Sequence, residues 1–217
     1  MGQPRDAESA GAQDADADGI IVFDFDGTLT TADTFALFLR YYRGVAGWLW
    51  RIAALLPTFA AYKLGLIDRH AVKAAVIRRF FAGERVADVD ARADVFANEV
   101  IPPLIRPKGL ETFKAFLTSD PDRLYICSAS IAPYLKAWGR SLGMSPEKIL
   151  SVELESKAGR LTGAIEGYNV WGPNKVRRIH DTFAPASVRI LEAFGDTRGD
   201  RELLHAADVS HWKPFRL

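Results

Sequence analysis

Two aspartates, Asp24 and Asp26, stand two positions apart in the run IVFDFDGTLT, directly after the apolar residues Ile20 to Phe23. Side chains two apart on a strand point to the same side, so this pair can converge where the strand runs out into Gly27 and Thr28. Paired carboxylates suit three tasks: holding a metal ion, attacking an electrophile such as phosphorus, and moving protons. The last requires surroundings that lift a carboxyl above its free pKa of about 4. Gly27 lets the backbone approach an anion closely, and the amides after it can form a nest for one. DFDG is also a good turn sequence, because Asp and Gly both favour turns. A turn, however, does not account for what stands at the other candidate strand ends. Ser128 closes a second apolar run with a hydroxyl donor. Lys175 opens a helical pattern, whose N-terminal dipole also favours an anion. Asp196, in Gly195-Asp196-Thr197, closes a third run with a carboxylate suited to a hard cation.

The elements that must position these groups can be read from the same runs. GIIVFDF, DRLYICS and VRILEAFGD read as fully buried strands of a parallel sheet. Each leads through a short polar loop into a helical pattern, the second into IAPYLKAWGRSL and the third into RGDRELLHAA. Strands alternating with helices predict an α/β fold, a doubly wound Rossmann-like sheet, and ligands of such sheets bind beyond the carboxyl ends of the strands. From Asp33 to Arg106 only helix-period patterns occur, broken at Gly44, Gly65, Gly83 and Pro102-Pro103. The expected organisation is a core of residues 19–32 and 107–217, an all-helical cap inserted at 33–106, and an acidic, disordered tail at 1–18. SVELESKAGRLTGAIEG reads as a hairpin turning at Lys157-Ala158-Gly159.

With these motifs assembled, the chain resembles the haloacid dehalogenase superfamily of phosphatases, in its phosphoserine-phosphatase-like branch. DFDGTLT, a serine after an apolar strand, a lysine and GDTRGD match in order from about Ile20 to Asp200, and the closing HWKPFR resembles the ends of bacterial members. The resemblance implies Asp24 as nucleophile and Asp26 as general acid and base. Thr28 and Ser128 would hold phosphoryl oxygens, and Lys175 would neutralise charge on Asp24 and the phosphate. Mg²⁺ would be bound by Asp24, the backbone carbonyl of Asp26 and Asp196, with Asp200 behind or reaching the metal. One metal and one lysine suit phosphoryl transfer, which needs mostly positioning and charge stabilisation. The carboxylate at Asp26 favours phosphate chemistry over carbon–halogen cleavage, since a departing halide needs no proton. A phosphomutase, which uses the same pair, stays open, as does a regulator that has kept the fold without the activity.

Composition narrows the surroundings. The 217 residues are 48% hydrophobic and 25% charged, with a formal net charge of +1, so the chain has material for a core but not the basic excess of a general nucleic-acid binder. The charge is uneven: the first eighteen residues carry five acidic groups against Arg5, whereas Thr34 to Lys108 hold twelve Lys/Arg against six Asp/Glu. The single cysteine, Cys127, rules out an internal disulfide and reads as a small core residue. The N-terminus has no basic start or apolar run of a signal peptide, so a cytoplasmic location is expected.

Substrate choice is expected from the helical insertion. Asp33, nine residues after Asp24, reads either as the N-cap of the helix starting at Thr34 or as the acidic residue that recognises a substrate amine in phosphoserine phosphatases. GVAGWLWRIAALLPTFAAYKLGLI is long and apolar, with Trp48, Trp50 and Tyr62 near its ends. Arg51 and Pro57 argue against a full bilayer span. Two readings are left, helices packed within the cap or a helix lying in a membrane interface with aromatic anchors and snorkelling Arg and Lys. The basic excess, including Arg69, Arg78 and Arg79, suits an anionic lipid surface, though Arg78-Arg79 also fits a solvated helix face. This apolar, basic cap resembles that of phosphatidylglycerophosphatase C, of the same branch, and implies a membrane-associated lipid phosphate as substrate, with peripheral membrane contact through the cap. The alternative is a small soluble phosphometabolite such as phosphoserine. The sequence leaves the oligomeric state open.

Overall fold

The computed structural model describes residues 19–216; the acidic tail lies outside them. Six strands form one sheet: β1 (Gly19–Phe23), β2 (Leu124–Ile131), β3 (Ile149–Lys157), β4 (Arg160–Glu166), β5 (Arg189–Gly195) and β6 (Ala207–Trp212), in the order β4-β3-β2-β1-β5-β6. All neighbours are parallel except β3 and β4. The three apolar runs become the three central strands, with β1 buried along its whole length. The expected hairpin is β3–β4, joined by the two-residue turn Ala158-Gly159.

Register does the positioning. Phe23 of β1 lies opposite both Ile126 of β2 and Phe194 of β5. One or two residues further on, the three strands deliver Asp24, Ser128 and Asp196 to the same carboxyl-end rim. The level is held from behind by aromatic packing: Phe23 stacks on Phe194 at 4.0 Å and meets Phe113 edge-on at 5.3 Å. Such pairs contribute about 0.5–1.5 kcal/mol each beyond the area they bury.

Between β1 and β2 the chain is helical, as its periodicity predicts. It forms α1 (Thr34–Ala54), α2 (Leu56–Lys63), α3 (Arg69–Phe81) and α4 (Val86–Val95), then a π-turn, a 3-10 turn at Pro102–Leu104, and α5 (Pro107–Ser119). Gly44 breaks α1 into two pieces with a non-helical backbone. Asp33 and Asp68 cap α1 and α3 by accepting the Ala36 and Ala71 amides at 3.0 and 2.7 Å. Phe38 of α1 packs against Phe81, Phe96 and Tyr134. Tyr134 belongs to α6 (Ala132–Ser141), which follows β2, so one aromatic cluster joins the inserted helices to the sheet layer. α7 (Pro173–Phe183) precedes β5, and α8 (Arg201–Ala206) links β5 to β6.

The hairpin supports the helices as well as the sheet. Gly83 donates to Leu161 and Leu161 donates to Glu84, both at 2.8 Å. At Gly163 (φ +88°) a Cβ would lie 2.8 Å from Ala82 Cβ and 3.1 Å from Arg78 Cα, so β4 meets α3 at backbone contact distance.

Among the described residues no single helix is long and apolar enough to cross a membrane. α1 and α2 together have the length and composition, but they bend by 48°.

Candidate active site

The rim residues converge on a cavity of about 530 Å³ between the strand ends and α1–α3, lined by Asp24, Asp26, Ser128, Lys175, Asp196 and Asp200 among others. Asp24, Asp196 and Asp200 are buried, and one carboxylate oxygen from each lies within 4.8 Å of the others. Lys175, itself buried at the start of α7, bridges two of them. Its Nζ is 2.5 Å from Asp24 Oδ1 and 2.7 Å from Asp200 Oδ1, and it donates to the Cys127 carbonyl at 2.7 Å. Arg216 pairs with Asp196.

The charges divide unequally. Burial opposes the ammonium form of Lys175, yet Asp24 and Asp200 hold it above its ordinary pKa. Burial also opposes ionising Asp200, but Lys175 and the Thr197 donors outweigh it and hold that carboxyl below its ordinary range. Asp24 is left with the deficit: burial pushes it up to about 7 despite Lys175. Three buried carboxylates share two cationic side chains. An oxygen-only donor set short of positive charge fits a hard divalent cation such as Mg²⁺.

Asp26 faces away from this cluster. Its Oδ1 accepts from the Thr34 amide at 2.8 Å and from Thr34 Oγ1 at 2.6 Å, and its Oδ2 accepts from Ser130 Oγ. Burial, with Asp33 nearby, raises its pKa against these hydrogen bonds. Any contact of Asp26 with the metal would therefore fall to its main-chain carbonyl. Gly27 makes the close approach possible. Its φ is +84°, and a Cβ there would lie 2.5 Å from an Asp196 oxygen.

The structure brings all the expected residues to one place, in different surroundings. Thr28 is buried with its hydroxyl donating to Asp24 Oδ2 at 3.0 Å and Asp196 Oδ1 at 3.3 Å, and it does not line the cavity. Asp200 spends both oxygens within the protein, on Lys175 and on the amides of Asp196 and Thr197. Asp33 is the N-cap of α1 and also lines the cavity. Cys127 is a core residue whose thiol burial pushes up to about 12.

Sequence reading missed Thr34, Ser130, Lys73, Asn169 and Arg216, all within or beside the site. Only Ser130 carried a usable signal, since it follows Ser128 by two along the same strand.

This fold and site define a class. The chain matches the haloacid dehalogenase-like hydrolase family over residues 21–205 and belongs to it. It is also 33% identical over 202 residues to Protein CicA of Caulobacter vibrioides, covering 91% of this chain and 86% of that one. Solved structures share the fold. A protein of unknown function from Bordetella pertussis Tohama I superposes with a TM-score of 0.71 at 21% identity, covering 87% and 86% of the two chains. A probable phosphoserine phosphatase from Vibrio cholerae gives 0.65 at 20%, over 89% of this chain and 55% of that one. A substrate-bound phosphoserine phosphatase gives 0.58 at 18%, over 90% and 85%.

Proposed function

We propose that this family member is a Mg²⁺-dependent phosphomonoester hydrolase working through an aspartyl-phosphate, with residues 33–106 acting as a cap over the site. The observation that carries the reading is the separation of two neighbouring carboxylates into different environments. Asp24 sits on Lys175 in the buried carboxylate cluster, where a bound cation would favour its ionised form, while Asp26 is held by Thr34 and Ser130 apart from that cluster, and burial favours its protonated form. That is the division of labour expected of a nucleophile and an acid.

In the first step a carboxylate oxygen of Asp24 attacks phosphorus, and the bond from phosphorus to the leaving oxygen breaks. Asp26 gives its proton to that oxygen, so the alcohol leaves neutral. In the second step Asp26 takes a proton from water as the water oxygen attacks phosphorus, which frees Asp24 and releases phosphate. Lys175 keeps Asp24 in line and offsets the charge on the phosphoryl group, and Ser128 supplies a hydroxyl donor at the cavity wall. Asp24, Asp196 and the Asp26 carbonyl would hold Mg²⁺, which supplies charge neutralisation for the phosphoryl oxygens. Hydrolysis of p-nitrophenyl phosphate and of a panel of alkyl phosphomonoesters in Mg²⁺ tests the reading, and a well-folded protein that releases phosphate from none of them would refute it.

For the substrate we infer a membrane-associated lipid phosphate, such as phosphatidylglycerophosphate. Phe59 and Tyr62 line the cavity and belong to α2. The same stretch bears Val45, Leu49, Trp50, Leu56, Leu64 and Leu66, all exposed large apolar side chains. The cavity thus borders an apolar surface flanked by Arg51, Lys63 and Arg69, which suits a protein resting on an anionic membrane, here its cytoplasmic face. The likeness to phosphoserine phosphatases, with Asp33 at the cavity, supports a small soluble substrate as the second reading.

A further inference from the structure

Phosphoryl chemistry leaves one part of the cavity unexplained. Lys73, on α3, lines it. Among the described residues its ammonium makes no hydrogen bond or ion pair; it lies over the face of Phe35, 3.1 Å from the ring centroid. Asp33 and Asp26 act on it only through space, and burial pushes it down to about 7 against them. A half-buried cation with no hydrogen-bonded anion is a ready partner for an anionic ligand.

Asn169 provides a second, independent observation. It is only 4% exposed, lines the same cavity, and its Oδ1 has no hydrogen-bond partner. Its backbone is fixed, with the amide on His70 Nδ1 at 3.3 Å and the carbonyl accepting from Asn174 Nδ2 at 3.0 Å. Whichever way the side-chain amide is turned, one polar group is left buried and unpaired beside the cavity, a cost of about 1–3 kcal/mol.

Position assigns these groups to one part of a substrate. Lys73 lies over Phe35, and the neighbouring Thr34 holds Asp26 through its amide and hydroxyl. Lys73 therefore stands on the Asp26 side, where the leaving oxygen departs, and Lys175, bonded to Asp24 and Asp200, already serves the phosphoryl side. Phe35 and Trp171, the latter under Arg69 at 4.6 Å, wall the space. An ammonium group on the ligand would have to lie among Lys73 and Arg69, and Asp33 Oδ1 is engaged by the Ala36 amide.

We propose that Lys73 and Asn169 form a leaving-group subsite for a second anionic group of the substrate, a carboxylate or a phosphodiester, with the Asn169 amide turned so that its Nδ2 donates to an adjoining oxygen. The subsite rests on the phosphatase reading and goes beyond it, since phosphoryl transfer requires no charge on the leaving group.

The test compares phosphomonoesters matched in size: glycerol 3-phosphate, with a neutral leaving group; 3-phosphoglycerate, with a carboxylate; and a glycerol phosphate also bearing a methyl phosphodiester. Wild type is expected to prefer at least one charged substrate over the neutral one by about tenfold or more in kcat/KM, equivalent to about 1.4 kcal/mol. The preferred member separates the carboxylate source from the phosphodiester. Lys73→Met is expected to bring the ratio close to one, and Lys73→Arg to restore most of it. Calorimetry on Asp24→Asn protein should show the same order of affinities without turnover. Should Lys73→Met fail to fold by thermal melt, Asn169→Ala carries the comparison, with a lowered ratio expected. Equal kcat/KM on neutral and charged substrates in wild type, or an undiminished preference in the variants, overturns the subsite. The phosphatase reading fails separately, as absence of turnover of every phosphomonoester by wild type; the calorimetric comparison then decides the subsite alone.

Discussion

At the scale of residues, the site depends on two aspartates having different surroundings only two positions apart. Asp24→Asn removes the nucleophile without changing shape and should reduce turnover by at least about a hundredfold while the melting temperature holds. Asp26→Asn should remove a general-acid contribution of about 10²–10⁴. In the first step, read as the rate of phosphoenzyme formation before steady state, its loss should be severe on alkyl phosphates and much milder on p-nitrophenyl phosphate, whose leaving group needs little help from a proton. Equal losses of that first-step rate on both substrates would contradict Asp26 as the acid. The raised pKa of Asp24 adds a pH dependence. Its folded value of about 7 lies above the ordinary 3.8, so the metal-free fold retains a proton that the unfolded chain loses, and this carboxyl costs stability as pH rises from 4 toward 7. A cation bound at the cluster favours the ionised form. Mg²⁺ should therefore raise the melting temperature more at pH 8 than at pH 5, and an equal rise would argue against Asp24 as a ligand. These residues were legible because strand alternation and strand ends are local patterns. Lys73, Asn169 and Arg216 were not, because their meaning depends on neighbours far away in the chain.

At the scale of elements, the hairpin and α3 act together. β4 lets α3 approach at Gly163, and α3 carries Lys73 and Arg69 to the cavity. Gly163→Val should destabilise the protein by about 1–3 kcal/mol, through crowding against Ala82 and the positive φ, read as a lower denaturation midpoint. An unchanged midpoint would mean that the contact is loose. The central strands β1, β2 and β5 were readable as apolar runs because sheet interiors bury both faces. β6 was not: ADVSHW mixes small, charged and aromatic residues, and as an edge strand much of it faces solvent. The helix breaks at Gly44, Gly65 and Gly83 were readable, since glycine takes the positive φ found at each. The closeness of the hairpin to α3 had no sequence signal, because it joins segments about eighty residues apart.

At the scale of the molecule, the exposed apolar side chains are unevenly placed. Among the described residues, seven of the ten large hydrophobic residues with high exposure fall between Val45 and Leu66. A folded protein tolerates scattered surface apolar groups, but a concentration beside a cavity and basic residues points to a partner surface. The protein should float with vesicles containing anionic lipid and less with neutral ones. A Trp50→Ser, Leu64→Ser, Leu66→Ser variant should lose most of that binding at an unchanged melting temperature, because all three residues are exposed. Wild-type protein that ignores anionic vesicles would favour the soluble-substrate reading. Composition marked this stretch as long, apolar and basic, and left open whether it packs inward or faces outward. It did not show which side chains would be left outside, a matter settled by how α1 bends at Gly44 and meets α2.

The central claim is that Asp24 becomes phosphorylated. It is tested most directly by acid-quenching the wild-type protein during turnover of a phosphomonoester in Mg²⁺ and mapping the modified peptide by mass spectrometry. The account predicts one phosphoryl group on the peptide containing Asp24, and none in Asp24→Asn. Turnover with no phosphoryl group on that peptide, or with one on a different residue, would contradict it.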